Sequence, residues 1–331
     1  MEFDYRTSSF KRLQNKEKVI IALGDSFTRG QGACNLEIGR KYNWDWDSLS
    51  LKIEQKREIS NCFYINSWVH QLCKNHMTDY EPLNLGLNGR GNRSTIKELY
   101  LCPEMKLHEK KEIIVIFMMT GMERFDFFLG DFDNNNFFKT MWPRLDDRVN
   151  HNPDKDLWES YFKHVWSDRF AIMELLLNVA ELKTWCKCHN AKLMLISAFR
   201  PDYQKEEFLR LMNKESNEFI QKNQPFINYL INMFDWDNFI RPNGHRCVTD
   251  YLCELEDRPD LIIEDLFGLS SKFYEFAYSN KEVSPKGYIT NCAHPSMLGH
   301  SKIADVLYEN INNNKFTRLD DNNFDSFIHL I

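Results

Sequence analysis

The chain has 331 residues, a net charge of −6, 43% hydrophobic residues and 27% charged residues. These values are typical of a folded globular protein and exclude disordered and fibrous classes. Nucleic acids and anionic membranes are bound through clustered Lys and Arg, so the acidic balance argues against both partners. No stretch of eighteen apolar residues occurs and residues 1–18 lack an apolar core, so neither a membrane span nor a secretory signal is predicted.

The nine cysteines lack the spacing of a disulfide framework, which favours a reducing cytoplasm as the location. Packaging in a virus particle is the alternative, and the abundance of Asn, Lys, Ile and Phe fits the AT-rich genomes common in phages. The spacing of Cys186, Cys188 and His189 does not fit a zinc site, and residues 235–238 lack the glycine and glutamate of a calcium loop. We therefore expect no metal and no cofactor.

Apolar runs predict strands, and amphipathic stretches between them predict helices. The predicted strands are 19–23, 82–85, 113–119 and 192–198, and the clearest predicted helices are 61–77 and 170–188. Alternating strands and helices predict an α/β protein with a mostly parallel sheet between two helix layers. Segments 125–166 and 201–287 fall outside this pattern. We interpret them as insertions in a single domain spanning 1–331, placed to shape a substrate pocket.

The first predicted strand ends in Gly24, Asp25 and Ser26. It would deliver the serine to the carboxyl edge of the sheet, where active sites of open α/β proteins form and helix N-termini offer N–H groups. Ser26 is therefore the candidate nucleophile. A serine needs a base, and His294 precedes a predicted amphipathic helix near the end of the chain. His300 is the weaker candidate, interpreted as a helix-start or surface histidine.

These two segments, in this order, resemble the first and last sequence blocks of the SGNH (GDSL-type) hydrolases, which are esterases and deacylases. The resemblance implies a three-layer flavodoxin-like fold. It also implies that residues 84–91 form the second block, so that the backbone N–H groups of Ser26 and Gly89 hold the oxyanion. In the third block Glu123 replaces the family's asparagine. In the last block Asn291 stands where the family has the aspartate of the triad.

Both departures leave two interpretations. Asn291 can accept a hydrogen bond from the imidazole of His294 without stabilising the imidazolium by charge; alternatively, Glu123 or an acid in an insertion orients the ring. An ionised Glu123 cannot donate hydrogen bonds, whereas the guanidinium of Arg124 has five donors. Arg124 is therefore the candidate third oxyanion donor. The alternative is an ion pair of Arg124 with Glu123 or Asp126 at a helix start.

The sequence predicts a serine hydrolase of carboxylic esters, with carbohydrate O-acetyl esters as the first substrate class and a small-molecule or glycan ester as its partner. Candidate substrate contacts are the aromatic and charged residues around the blocks, namely Asp25, Glu123, Arg90, Trp44 and Trp46. The tryptophans can stack on a sugar or acyl group, or form a core edge. The rival classes are a non-catalytic SGNH module that binds glycans in a virion or surface assembly, and a lipid or thioester acyl hydrolase.

Overall fold

A computed structural model describes residues 16–42, 51–100, 107–122, 124–131, 136–141, 155–165, 167–198, 205–213, 218–262 and 271–319. The strands in these ranges are β1 (Lys18–Leu23), β2 (Tyr80–Asn84), β3 (Glu112–Met119), β4 (Phe125–Asp131), β5 (Asn136–Met141) and β6 (Lys192–Ser197). The α-helices are α1 (Ser26–Arg29), α2 (Leu36–Lys41), α3 (Ile53–Asn66), α4 (Trp68–Asn75), α5 (Asn92–Lys97), α6 (Lys155–His164), α7 (Asp168–Cys188), α8 (Lys205–Asn213), α9 (Glu218–Met233), α10 (Val248–Leu255), α11 (Ser271–Ser279) and α12 (Met297–Asn312). Among the helices described, none combines the length and the apolar character that crossing a membrane requires.

The central sheet is parallel and has the strand order β2-β1-β3-β6. Both faces of such a sheet are covered by helices, so its strands are apolar at nearly every position. In β1 every side chain from Val19 to Leu23 is fully buried. The predicted α/β class with a parallel sheet between helix layers is confirmed, and the four strands of this sheet match the four predicted ones to within two residues.

Successive side chains of the strands enter two separate hydrophobic cores. Val19, Ile21 and Leu23 face a core completed by α5, α7, α8 and α9. Ile20 and Ala22 face the other core, which α4, α10, α11 and α12 complete. Each fully buried aliphatic side chain contributes roughly 1.5–3 kcal/mol, so these two cores hold the strand ends in place beneath the loops that carry the site.

The predicted helix 61–77 is instead two helices, α3 and α4, which are separated at Ser67. The backbone of Ser67 is extended, with φ −62° and ψ 156°, and its hydroxyl donates to the carbonyl of Tyr64 at 2.8 Å. The break exposes the backbone N–H of Trp68, which donates to Nδ1 of His300 at 3.3 Å. Helical periodicity continues across the break, so the sequence pattern does not predict it.

The two segments interpreted as insertions differ from each other. Segment 125–166 contains the antiparallel pair β4–β5 and the helix α6. Segment 201–287 contributes to the cores, because Phe208, Phe234 and Phe273 are buried in them. Ile240 also lies parallel to β6 and donates its N–H to the carbonyl of Leu195 at 2.9 Å. Part of the second segment therefore completes the sandwich and the edge of its sheet.

A glycine is required where β1 turns into α1. Gly24 has φ 152°, and a Cβ there would lie 2.1 Å from Oγ1 of Thr28 and 2.7 Å from the carbonyl oxygen of Met118. The latter atom belongs to the neighbouring strand β3 and cannot move without disturbing the sheet. The close packing at Gly24 therefore fixes the direction in which the chain leaves β1 toward Ser26.

We expect Gly24→Ala to lower the free energy of unfolding by about 2–4 kcal/mol, through backbone strain and the clash with Met118. The matched control is Gly244→Ala, because Gly244 also has a positive φ, 84°, but no atom lies within 4 Å of the position that a Cβ would take there. Urea denaturation of both variants measures the difference. Equal losses in the two variants would contradict the packing argument.

Candidate active site

The candidate site lies at the carboxyl ends of β1 and β3. The chain runs from β2 on one side of β1 to β3 on the other, so these adjacent strand ends are the switch point at which open α/β sheets bind ligands. Ser26 is the first residue of α1, directly after β1, and Thr120 follows β3. The topology therefore places the predicted nucleophile at the expected edge of the sheet.

Ser26 and His294 are 268 residues apart in the chain and meet at this edge, with Nε2 of His294 2.9 Å from Oγ of Ser26. On the other side of the ring, Nδ1 lies 2.7 Å from the carbonyl oxygen of Cys292. A carbonyl oxygen can only accept a hydrogen bond, so Nδ1 carries the proton. In the neutral ring Nε2 then presents its lone pair to the serine hydroxyl, which is the arrangement that a general base requires.

The Cys292 carbonyl is aimed at the imidazole by a tight turn over residues 290–294. The backbone N–H of Thr290 donates to the carbonyl of His294 at 2.8 Å, and the N–H of Ala293 donates to the carbonyl of Thr290 at 3.0 Å. Ala293 adopts the left-handed region with φ 62°. This conformation costs a non-glycine residue about 1 kcal/mol or more, so the surrounding hydrogen bonds must hold the turn.

Asn291 does not occupy the position of a triad acid, so this prediction was wrong. Its Nδ2 donates to the carbonyl of Lys281 at 3.1 Å, and its backbone N–H donates to the carbonyl of Glu282 at 2.9 Å. The residue ties the His294 loop to the preceding segment instead of contacting the imidazole. The hydrogen bond that the prediction assigned to Asn291 is made by the main chain of Cys292.

The surroundings of His294 favour its protonated form. Burial lowers the pKa of the imidazole, but interactions with the Cys292 side chain and carbonyl and the charge of Asp25 raise it more. The net result is a pKa above the usual value for histidine. The neutral form that can accept a proton from Ser26 therefore predominates only above this raised pKa.

A second glycine keeps the serine and histidine segments together. Gly32 has φ 89°, and a Cβ there would lie 2.7 Å from the carbonyl oxygen of Pro295 and 3.1 Å from Cβ of His294. The ring of Phe27 also lies against the imidazole, with 5.5 Å between ring centroids. The chain after α1 thus packs directly on the loop that carries His294.

Asp25, which was predicted as a possible substrate contact, is fully buried and bonds within the protein, so the structure gives this prediction no support. Its Oδ1 accepts from the N–H of Phe27 at 3.0 Å, and its Oδ2 accepts from Oγ1 of Thr120 at 3.0 Å. Nη1 of Arg124 lies 2.7 Å from the same Oδ2. The carboxylate therefore joins the ends of β1 and β3 beneath Ser26.

Arg124 contacts partners that were not predicted, while Glu123, one of its suggested ion-pair partners, lies outside the described residues. Its Nη1 contacts Asp25 and the carbonyl of Arg90, the latter at 3.2 Å, so the predicted oxyanion role gains no support from this geometry. Asp126, the suggested ion-pair partner, accepts hydrogen bonds from the backbone N–H groups of Gly91 and Ser94 at 3.1 and 2.8 Å. It stabilises the start of α5, where the helix dipole favours a negative charge.

The predicted second block lies beside the turn that carries Ser26. The N–H of Leu87 donates to the carbonyl of Gly24 at 3.1 Å, and Gly89 adopts a φ of 70°. The backbone N–H of Thr120 donates to Oδ1 of Asn92 at 2.9 Å, and Nδ2 of Asn92 donates to the carbonyl of Thr120 at 3.2 Å. Sequence analysis missed Asn92 and Thr120, since nothing local indicates that these residues meet.

His300 is a buried structural residue of α12, so the surface interpretation was wrong while the helix-start interpretation holds. Its side chain is fully buried, and Nδ1 accepts the backbone N–H of Trp68. Burial lowers its pKa to about 3. The ring is therefore neutral at ordinary pH and joins the start of α4 to α12.

The remaining predicted site residues have mixed outcomes. Glu123, Trp44 and Trp46 lie outside the described residues. Arg90 is half-buried, and its predicted contact with a charged substrate stays a prediction. In the described ranges, no three His, Cys, Asp or Glu side chains are grouped so that they could hold a metal ion.

No protein-family model matches the sequence, and no curated protein matches it. Solved structures similar to this chain include the acetyl xylan esterase AlAXEase, at 13% identity and TM-score 0.33, covering 88% of this chain and 98% of the other. LAE5, an alpha/beta hydrolase enzyme from the metagenome of Lake Arreo, Spain, is similar at 12% identity and TM-score 0.35, with 89% and 95% covered.

A carbohydrate esterase whose active site displays divergent catalytic and non-catalytic binding functions is similar at 14% identity and TM-score 0.33, with 90% of this chain and 66% of the other covered. All the identities and TM-scores are low. These neighbours therefore assign no activity to this chain, and its chemistry depends on its own side chains.

We expect Arg124→Ala to lower the free energy of unfolding by about 3–5 kcal/mol, because it leaves the buried carboxylate of Asp25 without its cation. Adding Asp25→Asn should recover part of this loss. The matched control is Arg93→Ala, because the ion pair of Arg93 with Glu174 is partly exposed, spans 3.9 Å and is worth about 1 kcal/mol or less. Denaturant titrations measure all three variants. An Arg124→Ala loss no larger than that of the control would contradict the role of the ion pair.

Proposed function

We propose that this chain is a serine hydrolase of carboxylic esters, with Ser26 as nucleophile and His294 as general base. The observation that carries the proposal is the contact of 2.9 Å between Oγ of Ser26 and Nε2 of His294. The tautomer follows from the Cys292 carbonyl on the opposite nitrogen. Buried serines often meet histidines by chance packing, but a ring held in the basic tautomer toward a serine at the switch point suits nucleophilic catalysis.

In the proposed reaction, Oγ of Ser26 attacks the ester carbonyl while its proton passes to Nε2 of His294. The imidazolium then protonates the leaving alkoxide, which departs as the alcohol and leaves an acyl-serine. A water molecule gives a proton to the regenerated base and attacks the acyl carbon. The imidazolium then returns this proton to Oγ of Ser26 as the bond between Oγ and the acyl carbon breaks, which releases the acid. The oxyanion of each tetrahedral intermediate is assigned to the backbone N–H groups of Ser26 and Gly89.

The carbonyl of Cys292 takes the orienting part that an aspartate plays in a full triad. It holds the correct tautomer, whose loss costs a serine protease roughly 10⁴ in turnover. It offers the imidazolium a dipole instead of a full negative charge, so part of the electrostatic stabilisation is absent. The raised pKa of His294 indicates that the Cys292 side chain and Asp25 supply some of the electrostatic stabilisation that the carbonyl does not provide.

For the substrate we favour a small acyl group on a hydrated partner, with carbohydrate O-acetyl esters first. A pocket next to the Arg124 side chain is lined by polar side chains, including Asn92, Arg93, Glu174 and Asn178, and by apolar ones, including Met122, Phe170 and Leu175. Its polar side chains favour hydroxyl-rich groups over a long acyl chain, because polar groups lose hydrogen bonds to water when covered by hydrocarbon. This preference makes the acyl-chain length a direct test.

The test is labelling by a fluorophosphonate, which modifies only an activated serine, followed by identification of the labelled peptide. We expect labelling at Ser26, loss of labelling in Ser26→Ala and His294→Ala, and retention in Ser279→Ala, since Ser279 is exposed on α11. Turnover of p-nitrophenyl acetate should fall in the same two variants while their melting temperatures stay near that of the unchanged protein. Turnover should also decrease from acetate to longer acyl esters.

Different outcomes select the rival classes. A folded protein that is neither labelled nor active on any ester would indicate a non-catalytic glycan-binding module. Labelling at Ser26 with turnover rising toward long acyl chains or thioesters would indicate an acyl hydrolase of lipids or thioesters. Full activity in a folded Ser26→Ala protein would refute the nucleophile.

Asn291→Asp, the change that would complete a triad in the related family, should not raise turnover here. The Asn291 side chain donates to the carbonyl of Lys281, and a carboxylate at this position would face that oxygen without a proton to donate. We expect unchanged or lower kcat and a loss of about 1–3 kcal/mol in stability. Ester turnover and thermal melting measure the two effects, and a clear gain in kcat would restore Asn291 as the acid.

A further inference from the structure

Three cysteine side chains meet in a small apolar cluster beside the His294 loop. Cys292 is half-buried and packs against the cluster. The buried members of the cluster are Cys34, Tyr42, Ile59, Cys62 and Phe63. All three cysteines are reduced in the structure. The proposed ester hydrolysis uses no sulfur atom of Cys34 or Cys62, so these two residues need an explanation of their own.

Cys34 and Cys62 form a pair within this cluster. Both side chains belong to the same buried cluster, and their interaction lowers the pKa of Cys62 to about 7 and raises that of Cys34 above its usual range. The side-chain Nδ2 of Asn66 lies 3.4 Å from the sulfur of Cys62 and donates to it. Cys62 is therefore partly ionised near neutral pH, and the thiolate is the reactive form of cysteine.

The pair is coupled to the candidate active site through the backbone. The N–H of Cys34 donates to the carbonyl of Gly32 at 2.8 Å. Gly32 in turn packs on the carbonyl of Pro295 and on Cβ of His294 without room for a methyl group. Cys62 belongs to α3, a separate element. A displacement of Cys34 toward α3 would therefore pull on the segment that supports the His294 loop.

We propose that Cys34 and Cys62 form a modification site, a dithiol that peroxides oxidise to a disulfide. The Cys62 thiolate attacks one oxygen of hydrogen peroxide, which breaks the O–O bond, releases hydroxide and leaves a sulfenic acid. The sulfur of Cys34 then attacks the sulfenic sulfur and forms the disulfide. The hydroxyl group of the sulfenic acid takes the proton of the Cys34 thiol and leaves as water, while the hydroxide released earlier combines with the proton that Cys62 had lost. Overall, two thiols and one peroxide give one disulfide and two waters. A dithiol reductant reverses the bond by thiol–disulfide exchange.

The disulfide alters the serine–histidine contact. A disulfide holds the two sulfur atoms about 2 Å apart and the two Cβ atoms about 3.8 Å apart, so its formation draws Cys34 toward Cys62. A displacement of about 1 Å at a catalytic constellation lowers rates by up to about 10²-fold. This consequence rests on the proposed hydrolase, whereas the oxidation itself does not.

The experiment treats the intact protein with hydrogen peroxide, blocks remaining thiols with N-ethylmaleimide and identifies linked peptides by mass spectrometry. We expect a reductant-sensitive link between the peptides of Cys34 and Cys62. The link should persist in Cys188→Ser, which removes an exposed cysteine outside the cluster, and disappear in Cys34→Ala. Recovery of both Cys34 and Cys62 as alkylated thiols, after peroxide has oxidised Cys188, would overturn the proposal. A link that joins Cys292 to either residue would overturn it as well.

The rate of fluorophosphonate labelling at Ser26, measured in the same samples, tests the coupling. Oxidation should slow labelling of the unchanged protein by up to about 10²-fold, and reduction should restore it. Labelling of Cys34→Ala should not respond to peroxide in this way. A linked protein that labels at the full rate would overturn the coupling. If the reduced protein does not label at all, the hydrolase proposal fails, while the peptide masses still decide the dithiol.

Discussion

The hydrogen bond from Nδ1 of His294 to the carbonyl of Cys292 is the constraint on which the candidate site depends. It determines which ring nitrogen faces Ser26, and it does so with a backbone atom whose position is set by the conformation of the loop. The left-handed residue Ala293 and the hydrogen bonds of Thr290 hold that conformation. In such an arrangement the orientation and the tautomer of the imidazole depend on loop geometry, whereas in a full triad they depend on the identity of one acidic side chain.

A second dependence runs through the buried carboxylate of Asp25. Its contacts with Phe27, Thr120 and Arg124 connect the turn after β1 with the end of β3. A buried charge is expensive unless it is paired and hydrogen-bonded, so this centre favours one arrangement of the strand ends. The Ser26 turn is thereby fixed from below, while Gly32 fixes it against the His294 loop from the side.

The fold and the two principal side chains could be predicted because their signals are local. Strands buried on both faces require continuous apolar runs. Gly24-Asp25-Ser26 follows such a strand, and His294 precedes the amphipathic helix α12. The partner of Nδ1 could not be predicted, since every residue has a carbonyl and only the φ of Ala293 turns this one toward the ring. The partners of Asp25 and the break at Ser67 depend on contacts between distant parts of the chain. The same reason explains why the contacts of Asn291 with Lys281 and of Arg124 with Asp25 were not predicted.

The two histidines of the last block respond to acid in opposite ways. The pKa of His294 is raised, whereas burial lowers that of His300 to about 3. On acidification, His294 takes up its proton first, while the fold is intact. In the unfolded chain His300 binds a proton below about pH 6.5, whereas in the folded chain it does so only below about pH 3. The free energy of unfolding therefore decreases as the pH falls from about 6.5 to about 3. Mild acid therefore protonates His294 reversibly, so that it no longer acts as a base, before stronger acid weakens the contact between α4 and α12. Two histidines six residues apart therefore have different roles in acid: protonation of His294 removes the candidate base, and protonation of His300 destabilises the fold.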